Sequence, residues 1–150
     1  MKGTTVIALF CEDIREERSG QDTLIGIMPD NINVGHYPSA TPKLGLYIRA
    51  HVDPDNPPSQ IVAKFKTPWV ESEVGRAEKE LIELAAEQAK QRGIPLAGVI
   101  LKAIIAPFQL KQHGLALLTV SIDGGEDVPC AVLNLLEAPA ISSNEKQPPS

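Results

Sequence analysis

Aromatic residues are scarce in this chain. Phe, Tyr and Trp make up 4% of its 150 residues, so the expected core is aliphatic, and the 43% hydrophobic content can supply it. A chain of this length is the size of one domain and buries roughly 70% of the surface its unfolded form exposes. Positive charge is in deficit: 14 Lys and Arg stand against 19 Asp and Glu, a formal charge of −5. Phosphate recognition needs clustered cations, and no basic stripe occurs, so a general nucleic-acid binder is not expected. Long hydrophobic runs are lacking too. Met1-Lys2-Gly3-Thr4-Thr5 leads into only about six apolar residues before Glu12, too short for a signal-peptide core or a membrane span. The expected location is the cytoplasm, with no membrane partner. Cys11 and Cys130 are then expected as free, buried thiols.

Catalytic and cofactor motifs are missing as well. The two cysteines have no CxxC spacing, and no HExxH or HxH pair occurs among His36, His51 and His113. No serine sits in a GxSxG elbow, and no Gly-rich loop runs from strand to helix to cradle a phosphate. Cys11 is a poor nucleophile candidate, because Glu12 and Asp13 follow it and neighbouring carboxylates raise a thiol pKa.

What is present is a strong strand pattern, organised around residues 5–31. An apolar strand, 5–11, runs into the acidic pair Glu12-Asp13, then a polar turn around Ser19-Gly20-Gln21-Asp22, then a second apolar strand, 23–28. The first strand is apolar on both faces, the pattern of a strand buried on both sides. Residues 31–42 are rich in turn formers and read as irregular. Residues 43–52 alternate cleanly, with Leu44, Leu46, Ile48, Ala50 and Val52 on one face. Residues 60–66 alternate again with lysines outward, which suggests antiparallel pairing near a sheet edge.

From Val70 the spacing changes to three and four. Val70, Val74, Ala77, Leu81, Leu84 or Ala85, and Ala89 predict one helix face, ended by Gly93 and Pro95. Thr67-Pro68 and Ser72 are candidate N-terminal caps. Residues 99–106 and 115–122 follow as strands, the former apolar almost throughout. Asp123-Gly124-Gly125 then forms a hairpin turn into a strand at 129–136. The expected architecture is mainly β (α+β): an antiparallel β-sandwich of about seven strands, with one amphipathic helix inserted between the fourth and fifth. Residues 1–139 form one domain, and the polar, proline-rich residues 140–150 read as a disordered tail. An open sheet with the helix on one face is the alternative.

Cys11-Glu12-Asp13-Ile14-Arg15, the polar turn, Leu24-Ile25-Gly26-Ile27, and the late run from Gly114-Leu115 to Val120-Ser121-Ile122-Asp123-Gly124 together resemble a family of small uncharacterised bacterial and phage-associated proteins. The resemblance covers the opening and closing strands and not the middle with its helix. It implies a sandwich-like fold and no established activity, so no catalytic residue is carried over.

The acidic run beginning with Glu12 and Asp13, joined by His36 or His51 through the fold, is a candidate hard-cation or metallohydrolase site, since carboxylate oxygens suit such ions. Arg15 and Arg18 lie among these acids and compete for them, and Asp13 alternatively accepts backbone N–H bonds in the turn. Asn33, His36 and Tyr37 lie on the irregular loop and are candidate recognition residues. Trp69, the sole tryptophan, is a candidate anchor for the helix or a partner contact. The function expected first is a non-catalytic protein-interaction module without cofactor, whose partner is another protein or a second copy of the chain. A metal-binding protein or metal-dependent hydrolase is the alternative.

Overall fold

The computed structural model describes residues 3–137. Eleven strands and one helix occur among them: β1 (Thr4–Glu16), β2 (Asp22–Ile27), β3 (Asn31–Ile32), β4 (Ser39–Thr41), β5 (Leu44–Val52), β6 (Ile61–Lys66), β7 (Glu71–Ala77), α1 (Lys79–Gln91), β8 (Ala97–Ile105), β9 (Phe108–Leu110), β10 (Gly114–Ile122) and β11 (Val128–Leu135). The expectation for the tail, 140–150, falls outside the described residues.

Alternation builds the layers. In β5 the residues Leu44, Leu46, Ile48, Ala50 and Val52 are all buried, while Arg49 on the opposite face is exposed. β5 is an interior strand of an antiparallel sheet ordered β2-β1-β5-β8. A second sheet, ordered β3-β11-β10-β6-β7, offers Ile61, Ala63 and Phe65 of β6 and Leu118 and Val120 of β10 to the same core. Its strands are antiparallel except for β3, which pairs parallel to β11. Neither β5 nor β6 lies at an edge, and they belong to different sheets. Their wet faces arise because each sheet covers the core on one side only. Asp123 fixes the far hairpin to the β5–β6 loop, its carboxylate accepting the N–H of Ser59 at 2.7 Å and of Gln60 at 2.9 Å. Asp123 and Gly124 both take positive φ, +52° and +69°, as the central residues of a type I′ turn closed by Gly125 N–H donating to Ile122 O at 2.9 Å, within a five-residue connection from β10 to β11.

The two ends are closed differently. α1 lies between the end of β7 and the start of β8, and it buries Ile82, Ala86 and Ala89. At the opposite end β4 and β9 pair as a short ribbon and bury Phe108 and Leu110. The few aromatics gather there. Phe10 meets Phe65 edge-on at 5.7 Å, Phe65 meets Phe108 at 5.8 Å, and Trp69 stacks on Phe108 at 6.5 Å. Such pairs add about 0.5–1.5 kcal/mol each beyond their buried area. The core is thus aliphatic except at this end.

The structure corrects the middle of the chain. Seven strands, not four, precede the helix, because β3 and β4 form within 31–42 and β7 occupies the stretch expected to begin the helix. The Thr67-Pro68 signal is a hairpin turn: the Thr67 hydroxyl accepts the N–H of Val70 at 3.1 Å and of Trp69 at 3.4 Å, and Thr67 N–H donates to Val70 O at 2.8 Å. The two hydroxyl bonds are those an N-cap would make, which is why the local signals coincide. Trp69 therefore sits in the β6–β7 turn and does not anchor the helix. The helix stripe is rotated as well, with Leu81 and Leu84 on the exposed side.

Candidate interaction surface

β1 and β8, the strands whose apolar runs suit burial on both faces, lie on either side of β5. Register places their outward residues in rows. Thr5, His51 and Gly98 form one row, and Ile7, Arg49 and Ile100 the next. Then come Leu9, Tyr47 and Lys102, and finally Ile27, Cys11, Gly45 and Ile104. Ile7 is 50% exposed, and Ile100 and Ile104 are each 42% exposed. The outer layer expected over β1 is therefore not supplied by the described residues. Arg49, between Ile7 and Ile100, forms no salt bridge among them, and its guanidinium lies beside Gly98.

The β1–β2 hairpin covers part of this face by folding back over it. A Cβ at Gly45 would stand 2.7 Å from Cys11 Sγ and 3.2 Å from Ile14 Cγ1, so only glycine admits the fold-back. Lys102 of β8 clasps the hairpin, its Nζ lying 2.7 Å from Asp22 Oδ1 and 3.0 Å from Glu16 Oε1. The Asp22 carboxylate, followed by that of Glu16, pushes the Lys102 pKa up. Burial, more than the nearby Asp13 charge, pushes the Cys11 thiol up, and burial does the same for Cys130. Both cysteines are free; Cys11 is fully buried and Cys130 half-buried.

The residues expected to bind metal do not converge. Glu12 and Asp13 lie beyond the Cys11–Gly45 pair, whereas His51 stands opposite Thr5 at the helix end of the sheet. Seven residues of strand separate the two sites, about 24 Å. Asp13 accepts the Ile14 N–H at 2.9 Å and pairs with Lys43 at 3.4 Å, so it is engaged within β1 and at the approach to β5, not in the turn where the sequence placed it. His36 is exposed on the β3–β4 connection. No group of three or more His, Cys, Asp or Glu side chains able to hold a metal ion occurs among the described residues.

On the β3–β4 connection, Tyr37 is a tether: its hydroxyl donates to Leu136 O at 2.7 Å, and burial raises its pKa. Asn33 is exposed and Trp69 half-buried. Trp69 and Phe108 line one shallow cleft of about 420 Å³. Two further clefts, about 480 and 300 Å³, share Glu12, Met28 and Thr41 in their walls. Glu12 makes no hydrogen bond or ion pair among the described residues, and its side chain lies across Gly26, which has a φ of +65°.

Sequence reasoning passed over Ile7, Arg49, Ile100, Lys102 and Gly45. A signal for the isoleucines existed in the apolar run of β1, read as a strand buried on both sides, and in that of β8, which Lys102 alone interrupts with charge. Nothing local marks Gly45 or the Lys102 clasp, since both depend on register with a distant hairpin. Comparison with family models, with curated proteins and with solved structures returned no match to this chain. No helix among the described residues is long and apolar enough to cross a membrane.

Proposed function

We propose that the chain is a non-catalytic β-sandwich module that works by protein–protein contact through the outer face of its β2-β1-β5-β8 sheet, with a second copy as the partner. One observation carries this reading. β1 and β8 have the composition of strands covered on both sides, yet Ile7, Ile100 and Ile104 stand exposed on the same sheet face. Exposed apolar residues gathered on a face, unlike those scattered singly, mark association surfaces. The resemblance of the opening and closing strands to proteins without established activity is compatible with a binding role. The metallohydrolase alternative gains no support, because its carboxylates and histidines lie apart.

Sedimentation equilibrium of the wild type, Ile7→Lys and Leu84→Lys tests the proposal. Leu84 is as exposed as Ile7 but lies on the helix. The expected result is a concentration-dependent oligomer for the wild type and Leu84→Lys, with at least tenfold weaker association for Ile7→Lys, about 1.4 kcal/mol. Equal association of all three would overturn the assignment of the face.

A further inference from the structure

The lateral edges of the two sheets are not protected alike. An open edge presents unpaired N–H and C=O groups to any other strand, and proteins block it with short strands, charges, proline, bulges or a covering segment. β2 has six residues, a positive-φ glycine at Gly26 and Pro29 just past its end. β3 has two residues. β7 carries Glu71, Glu73 and Arg76, and its register with β6 shifts between Ala63 and Lys64. β8 has none of these devices except the single charge of Lys102. It runs nine residues in unbroken register with β5, without proline, as Ala-Gly-Val-Ile-Leu-Lys-Ala-Ile-Ile. No backbone hydrogen bond joins its far side to any described residue outside its own sheet. β7 approaches it from the other sheet, where a Cβ at Gly75 would lie 3.3 Å from Leu101 Cβ, but no ladder forms between them.

We infer that β8 is a self-pairing edge: two copies join β8 to β8 antiparallel about a two-fold axis, making one continuous eight-stranded sheet. Two observations select a second copy as the occupant. The only charge on the strand, Lys102, is held by Asp22 and Glu16 of its own chain, so β8 presents no unpaired lysine to a second copy. The second is at the start of the strand, where Ile94 and Leu96 are exposed beside a small cleft closed by Ala89 and Ala97. Antiparallel pairing centred on the strand brings the partner's apolar C-terminal residues to that place. An isologous contact of this kind closes on itself and leaves no β8 edge free.

This inference rests on the strand edge and not on the sheet face, so it stands or falls apart from the proposed function. The test is residue-resolved amide hydrogen exchange on the wild-type chain at micromolar and millimolar concentration, repeated on Ile7→Lys. In an antiparallel edge strand alternate amides have no partner within their own sheet. Those of β8 are expected to exchange at least about tenfold more slowly at the higher concentration, in both proteins, while amides of β2 and β7 keep their rates. Association of the wild type without any slowing in β8 would overturn the edge pairing and leave the face as the contact. Unchanged β8 exchange with no association at all would overturn both.

Discussion

At the scale of single residues, two glycines carry the bend of the β1–β2 hairpin, for different reasons. At Gly45 the constraint is space. Gly45→Ala drives a methyl into the fully buried Cys11 sulfur, and overpacking of this kind costs about 1–3 kcal/mol. Cys11→Ala removes that sulfur, so chemical denaturation of the double mutant should show a loss smaller than the sum of the two single losses. Strict additivity would contradict the contact. At Gly26 the constraint is the backbone. Its φ of +65° makes Gly26→Ala cost about 1–2 kcal/mol. The cost should persist in a Glu12→Ala background, since the exposed Glu12 side chain can swing away. Full rescue by Glu12→Ala would show that crowding, not φ, is decisive.

The thiols give a pH prediction at the same scale. Burial raises both thiol pKa values above the ordinary 9.0, so the fold favours neutral Cys11 and Cys130. The unfolded chain then loses these protons first as pH rises. Their contribution is intact below pH 9.0 and declines as pH climbs through the ordinary thiol range toward the raised folded values. Denaturation midpoints of the wild type should fall more steeply above that pH than those of a Cys11→Ala/Cys130→Ala variant. Parallel curves would contradict it.

At the scale of elements, the helix distinguishes packing from periodicity. Ile82 is fully buried and Leu84 is 56% exposed. Ile82→Ala should cost about 2–5 kcal/mol, whereas Leu84→Ala should stay within about 0.5 kcal/mol. Equal losses would mean that the stripe is where spacing alone puts it. Lys102 supplies a second test. Lys102→Ala should speed amide exchange in the hairpin between Asp13 and Ile25 while leaving that of β10 unchanged, because the clasp holds the hairpin and not the core.

The elements also show what the sequence could reveal. β5 and the β10–β11 hairpin were legible because alternation and an Asp-Gly turn are local signals. β7 was not, because it is a short edge strand whose Val74 and Ala77, with Val70 of the preceding turn, also fit a helical spacing, and because Thr67 makes cap-like bonds in a hairpin. β1 and β8 were legible as strands, but their largely apolar runs could not say whether a second covered face lies within this chain. Of the candidate surface, that ambiguity was the only trace; the rows joining Ile7, Arg49 and Ile100 exist only through long-range register.

At the scale of the molecule, the size of the face bears on the proposal. Three strands, β1, β5 and β8, about 4.8 Å apart and about nine residues long at about 3.4 Å per residue, project about 440 Å². That is below the roughly 800 Å² per partner of a standard interface, and the folded-back hairpin occupies part of it, so the expected association is weak and concentration-dependent. The aliphatic side chains there lose little on association, and Arg49 adds a cation that a partner's carboxylate can meet. The most direct measurement is a concentration series of isoleucine-methyl NMR spectra. Signals of Ile7, Ile100 and Ile104 should shift or broaden as the chain is concentrated, while those of the buried Ile61 and Ile82 hold still. Exposed-isoleucine signals that stay fixed up to millimolar concentration would contradict association with a second copy through this face.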